Sequence, residues 1–220
     1  MTFLELASRL LTESGVDDNG VASVSGQTGM QLKAVYWINR AWTEIQNLHD
    51  WDFLWVGDAR FTTVVGQPSY LPTEHLQLNP LLKKWITDSV RISDATGTGY
   101  LRYQPWARWQ AARLHASSGK PTTFTINPQN ALVFNALPDA AYETGFDYYR
   151  QPQVLAGNTD TPILPEHYHD IILYKAMEYL ATEQGAPEIY QAGAITLRRM
   201  MSQLRHEHLP QISIGSSPVA

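Results

Sequence analysis

Apolar residues recur at intervals of three and four near both ends of the chain and alternate with polar ones through its middle. Phe3, Leu6, Ala7, Leu10 and Leu11 share one helical stripe, behind a Thr2–Glu5 pair with the T-x-x-E spacing of a capping box. Ser14-Gly15 ends that run, and residues 15–27, rich in Gly, Asp, Asn and Ser, read as a loop. A second box, Thr28 to Gln31, opens a longer helix. Its positions Leu32, Val35, Ile38, Trp42, Ile45 and Leu48, broadened by Tyr36, predict the core-facing side, with Asn39, Arg40, Thr43, Glu44 and Gln46 as the polar remainder.

From Trp51 the period changes. Residues 52–65 are β-branched and aromatic in partial alternation, and further strand-like runs lie at 88–93 and 99–103. Pro105 suits the start of a helix that the pattern carries to about His115, and residues 117–121 read as a turn. Thr122–Asn127 and Ala131–Asn135 flank Pro128-Gln129-Asn130, a hairpin signature, and Gly145–Arg150 is another strand. After a Pro/Gly/Asn/Asp connector at 151–163, Pro165 opens a helix with Tyr168, Ile171, Ile172, Ala176, Tyr179 and Leu180 on its buried stripe, closed by Gly185. Pro187 opens the last helix, whose seam is Tyr190, Ala194, Leu197, Met201 and Leu204.

This order predicts an α+β fold. The N- and C-terminal helices would form a helical bundle (residues 1–50 and 156–208), with an inserted β-rich domain containing one helix (51–155) and an extended C-terminal arm (209–220).

Composition narrows what the chain can do. With 44% hydrophobic and 17% charged residues it is a folding sequence, and no apolar run approaches the roughly 18 residues that span a bilayer, so no membrane role is predicted. The opening residues carry Glu5 and no early basic cluster, which argues against a secretory signal. Cysteine is absent, which removes disulfides, thiol nucleophiles and cysteine-held metals. The net charge of −5 divides as −4 over residues 1–60, +4 over 61–120, −3 over 121–165 and −2 over 166–220. A phosphate-gripping protein shows a concentrated basic face, and here only 61–120 leans that way, with its charges scattered; tight DNA binding is not expected.

Candidate chemistry is sparse. His167 and His169 would share a face on a strand but point to nearly opposite sides of a helix, so no metal site is predicted there. Arg198, Arg199, Arg205 and His206 complement the negative end of the last helix, or present a basic face to an acidic partner. Glu44, Asp50 and Asp52 are the first suspects for a carboxylate pair, against the plainer reading of solvated charge. Gly97-Thr98-Gly99 lacks the rest of a dinucleotide pattern and reads as a turn, and no nucleophile elbow, phosphate loop or H-E-x-x-H occurs. Aromatics, at 11%, serve cores and interfaces alike. The uncharged tail at 209–220 reads either as a disordered terminus or as an arm that orders on a partner through Ile212 and Ile214.

Several stretches together resemble phage head–tail adaptor (connector) proteins, related to the tail accessory factor of short-tailed phages. They are the opening MTFLELASRL, the loop ending SGQTG, the helix WINRAWTEIQNLHDWDFLW, then GKPTTFTI at 119–126, DYYRQP at 147–152 and DTPILPEHYHDII at 160–172. The resemblance runs from residue 1 to about 184. It implies a structural virion protein of the neck, assembled in the host cytoplasm. Such proteins form a homo-oligomeric ring, typically of twelve copies, docked on the portal protein ring. The ring extends the channel, through which DNA passes without tight binding, and gives a platform to the next tail component, a nozzle or tail tube. The portal-reaching arm would be carried by Leu209, Ile212, Ile214 and Val219, and the ring contacts by Trp51, Trp55, Trp106 and Trp109. No cofactor or enzyme activity is implied. Some tail accessory factors are associated with peptidoglycan cleavage, which is the alternative reading.

Overall fold

A computed structural model describes residues 1–112 and 117–209. In chain order the elements begin with α1 (Phe3–Glu13) and α2 (Gly29–Leu48). The middle carries β1 (Trp55–Thr62), β2 (Ser69–Tyr70), the single-turn α3 (Pro72–His75), β3 (Leu82–Asp94), β4 (Gly97–Tyr100) and β5 (Arg102–Tyr103). It continues through α4 (Trp106–Ala112), β6 (Ser117–Ser118), β7 (Thr123–Ile126), β8 (Leu132–Phe134), β9 (Ala136–Leu137) and β10 (Glu143–Arg150). Then come α5 (Asp170–Gln184) and α6 (Pro187–His208). The fold is mixed α+β, in two compact units: Met1–Phe53 with the described residues from Pro152 on, and Leu54–Gln151.

In the first unit the α1 capping box forms: the Thr2 amide donates to Glu5 Oε2 at 2.8 Å and the Glu5 amide to Thr2 Oγ1 at 3.2 Å. The predicted stripe of α1 is its buried face. The second box does not form. Thr28 occupies the N-cap without a side-chain bond, and Gln31 Nε2 donates instead to the Gly20 carbonyl at 2.9 Å and to Asp17 Oδ2 at 3.3 Å. The amide therefore stitches the 15–27 loop to the helix.

The buried face of α2 is rotated from the predicted one. It consists of Ala34, Trp37, Ile38, Ala41, Trp42, Ile45 and Gln46, while Leu32, Tyr36 and Leu48 are exposed. Ala34 and Ala41 are fully buried, and Trp37 and Trp42 supply most of the bulk on that face. Gln46 and Asn39, placed on the polar side by the pattern, grip the returning connector. Gln46 Oε1 accepts from the Gln153 amide at 2.7 Å and its Nε2 donates to the Gln153 carbonyl at 3.0 Å. Asn39 makes the same pair of bonds to the Leu155 backbone, at 2.8 and 2.9 Å.

A short 3₁₀ turn, Glu166–Tyr168, precedes α5, so the α-helix starts at Asp170 and not at Pro165. Gly185, at φ 61°, ends it in the left-handed conformation that favours glycine. The four long helices do not all meet in one bundle core, as the pattern implied. Instead α5 packs against α1, α2 and α6, and α6 lies chiefly along α5. The seam residues Ala194, Leu197, Met201 and Leu204 are buried, and the side chain of Tyr190 is outside those described.

The second unit holds two helices, α3 and α4, where the sequence suggested one. One sheet runs β1-β10-β3-β4, antiparallel throughout; the other runs β2-β8-β7-β5, with β5 parallel to β7, and β6 pairs in parallel with β9. Their core is aromatic, with Trp85 against Phe146 at 4.9 Å and Tyr70 against Phe134 at 5.7 Å between ring centres. The predicted hairpin is β7–β8: Asn130 takes φ 63°, and Asn127 Oδ1 accepts from the amides of Gln129 and Ala131. β3 is longer than the pattern showed. Gly97-Thr98-Gly99 belongs to β4; the turn lies just before it, where Asp94 accepts from the Thr96 amide at 2.7 Å and from Lys120 at 2.6 Å. Ser117-Ser118, read as a turn, is the β6 bridge, and His115 lies outside the described residues. Among the described residues no helix is long and apolar enough to cross a membrane.

Candidate functional site

The carboxylates suspected of chemistry are all engaged. Glu44, on α2, accepts from Lys175 Nζ at 2.8 Å and from the Tyr179 hydroxyl, both on α5. Burial opposes ionisation of Glu44, but the bonds from Lys175 and Tyr179 outweigh it and hold its pKa below the usual range. Burial, then the bond to Glu44, pushes the Tyr179 hydroxyl up to about 12. Burial works against the Lys175 charge too, yet Glu178 and Glu44 raise its pKa. Arg40 lies over the Tyr179 ring at 4.4 Å, completing the network. Glu44 is thus held as a carboxylate within an ion-pair and hydrogen-bond network that links α2 to α5. Asp52 accepts from His208 Nδ1 at 2.7 Å, and Asp50 also has partners.

The histidines diverge. His167 is exposed, whereas His169 is 3% exposed and uses both ring nitrogens. Its Nε2 donates to the Leu164 carbonyl at 2.8 Å and its Nδ1 accepts from the Met1 amino group at 2.8 Å. Burial first, with the Met1 charge adding, holds its pKa below the ordinary value. Its work is to tie the start of α1 to the start of α5. Among the described residues no group of three or more His, Asp or Glu side chains is placed to hold a metal.

The four tryptophans named from sequence for ring contacts differ in exposure. Trp51 is fully buried, stacks on Phe53 at 5.7 Å and donates from Nε1 to the Ile45 carbonyl at 2.7 Å. Trp109 is 1% exposed. Both are buried in the cores of their own units. Trp106 is half-buried, and Trp55 is 45% exposed with Nε1 donating to Asp147 Oδ2 at 3.2 Å. Of the arm residues, Leu209 caps α6, its amide donating to the Arg205 carbonyl at 3.3 Å; Ile212, Ile214 and Val219 lie outside the described residues.

What the pattern missed is a groove in the first unit, of about 260 Å³, between the end of α2 and the second half of α6. Ile45, Leu48, Leu197 and Met201 give it an apolar floor; Glu44, Lys175, Arg198 and Arg205 give it a charged rim with a basic excess. Lys175 is neutralised by its two glutamates, and Arg205 donates from Nε to His49 Nε2 at 3.3 Å. Among the described residues Arg198, Arg199 and Arg205 have no carboxylate partner. The one signal in the sequence was the basic run at the end of α6. The groove thus combines an apolar floor with the guanidinium groups of Arg198 and Arg205, beside a Glu44 carboxylate already committed to Lys175.

No curated protein matches the chain in a pairwise comparison. The family model described as SU10 adaptor protein matches residues 1–214, and the chain belongs to that family: it is a phage head–tail adaptor, a component of the virion neck.

Proposed function

We propose that copies of this chain form a closed ring beneath the portal, carry the DNA channel onward and offer a platform to the next tail component. The observation that carries this reading is the reach of the family match. It runs through both units and past the end of α6 at His208 to residue 214, so Ile212 and Ile214 fall inside the family pattern while Val219 does not. An uncharged segment retained by the pattern beyond the last helix suits an arm that fills apolar grooves on the portal. The net charge of −5 suits a conduit for DNA, because an acidic wall repels phosphates and lets them slide.

The test is reconstitution. Purified protein mixed with portal rings gives a larger complex, resolved by sedimentation and electron microscopy. Deleting residues 209–220 weakens that complex at least about a hundredfold, the scale of two buried aliphatic side chains at roughly 1.5–3 kcal/mol each. Equal binding by the truncated chain would remove the arm assignment, and no complex with the full chain would remove the adaptor-ring reading itself.

A further inference from the structure

The basic groove has a counterpart on the same unit. Where α5 ends and α6 begins, the chain reads Glu183, Gln184, Gly185, Ala186, Pro187 and Glu188, of which all but half-buried Ala186 are exposed. Its small apolar pair, Ala186-Pro187, lies between two carboxylates and borders a shallow hollow shared with Ala181, Thr182 and Gly185. Glu183 pairs with Lys33 at the surface, and Glu188 has no cationic partner among the described residues. The groove is the reverse: an apolar floor under Arg198 and Arg205, each exposed. At a rise of about 1.5 Å per residue, Glu188 and Arg205 stand roughly 25 Å apart along α6. Acidic tip and basic groove thus lie toward opposite ends of one helix. Two different, complementary patches are what a head-to-tail contact requires, whereas a two-fold contact would use a single self-complementary patch.

We propose that the α5–α6 turn of one copy seats in the groove formed by α2, α5 and α6 of the next, with Glu183 and Glu188 meeting Arg198 and Arg205. This rests on the reading of the chain as a multi-copy ring, and names its contact. The space of about 260 Å³ suits the occupant. A cavity near 150 Å³ admits benzene, so this one accepts a proline and an alanine and is small for a drug-sized ligand or an aromatic helix face. Arg199, exposed on the same helix, extends the positive field that steers the approach.

A charge swap tests it. The variants Arg198→Glu with Arg205→Glu, and Glu183→Arg with Glu188→Arg, are each added to portal rings, with circular dichroism confirming the fold. Each alone places like charges in the contact and raises the concentration for half-maximal ring loading roughly tenfold or more. Mixed one to one, reversed grooves meet reversed tips and normal grooves meet normal tips, so alternating copies load as the wild type does. Loading by either variant alone at the wild-type concentration overturns the proposal while leaving the adaptor ring standing. Failure of the mixture to recover, with both variants folded, overturns it as well and points the groove toward a different protein. Failure of the wild type to load at all strikes the ring reading instead.

Discussion

Gln46→Ala removes the best-buried clamp in the first unit. Gln46 is fully buried on α2, and its amide both receives the Gln153 N–H at 2.7 Å and donates to the Gln153 carbonyl at 3.0 Å. Truncation leaves both connector groups without a partner where water has poor access. Two lost hydrogen bonds at about 1 kcal/mol each, with the space left by the amide, sum to roughly 2–4 kcal/mol. For a chain of this size each kcal/mol moves the melting temperature by about 2–4 °C, so the expected drop is roughly 5–15 °C. Calorimetry at neutral pH gives the number. Gln46→Glu sharpens the test: it keeps the shape but sets a carboxylate oxygen against the Gln153 carbonyl. That variant is less stable than the wild type at pH 7 and regains stability on acidification as the carboxyl takes up the missing donor proton. A melting temperature for Gln46→Ala within about 1 °C of the wild type would refute the clamp.

Two further outcomes follow from the packing. The unfolded chain protonates His169 near pH 6.5, and burial lowers the folded value, so on acidification the unfolded state binds the extra proton first. Stability therefore falls as pH drops below about 6.5, and His169→Gln flattens the change in urea midpoint between pH 7 and 5; parallel slopes would contradict this. In the second unit Arg91 lies across Gly145, where an added Cβ would stand 2.9 Å from the Arg91 Nε. Gly145→Val displaces the guanidinium from Asp58 and Asp147 and costs about 1–3 kcal/mol, and much less in an Arg91→Ala background. An equal cost in both backgrounds would show that Arg91 is not the obstacle.

How much of this was legible in the sequence depended on how local each cause is. The α1 capping box, the Gly185 stop and the Asn130 hairpin are set by residues within a few positions of one another, and each appears where the pattern placed it. The buried side of α2 was misplaced because counting large apolar residues favours Leu32, Tyr36 and Leu48, whereas the helix packs through Ala34 and Ala41 and buries an amide. Gln31 had two uses, a cap or a strut to the loop, and only the folded position of Gly20 decides between them. The parallel β5–β7 and β6–β9 pairs join short segments with no alternation of their own to read. For the candidate surface, the basic end of α6 was visible, but its groove depends on α2, nearly 150 residues away in the chain. Trp51 and Trp109 illustrate the converse: an aromatic count cannot separate core from contact, and burial assigns both to the core.

The role in the neck is tested most directly by electron cryo-microscopy of that region in intact particles. The expected result is a ring of density between the portal and the tail into which both units of this chain fit, with the segment after Leu209 running toward the portal. A complete neck traced entirely to other proteins, with this chain absent, would contradict it.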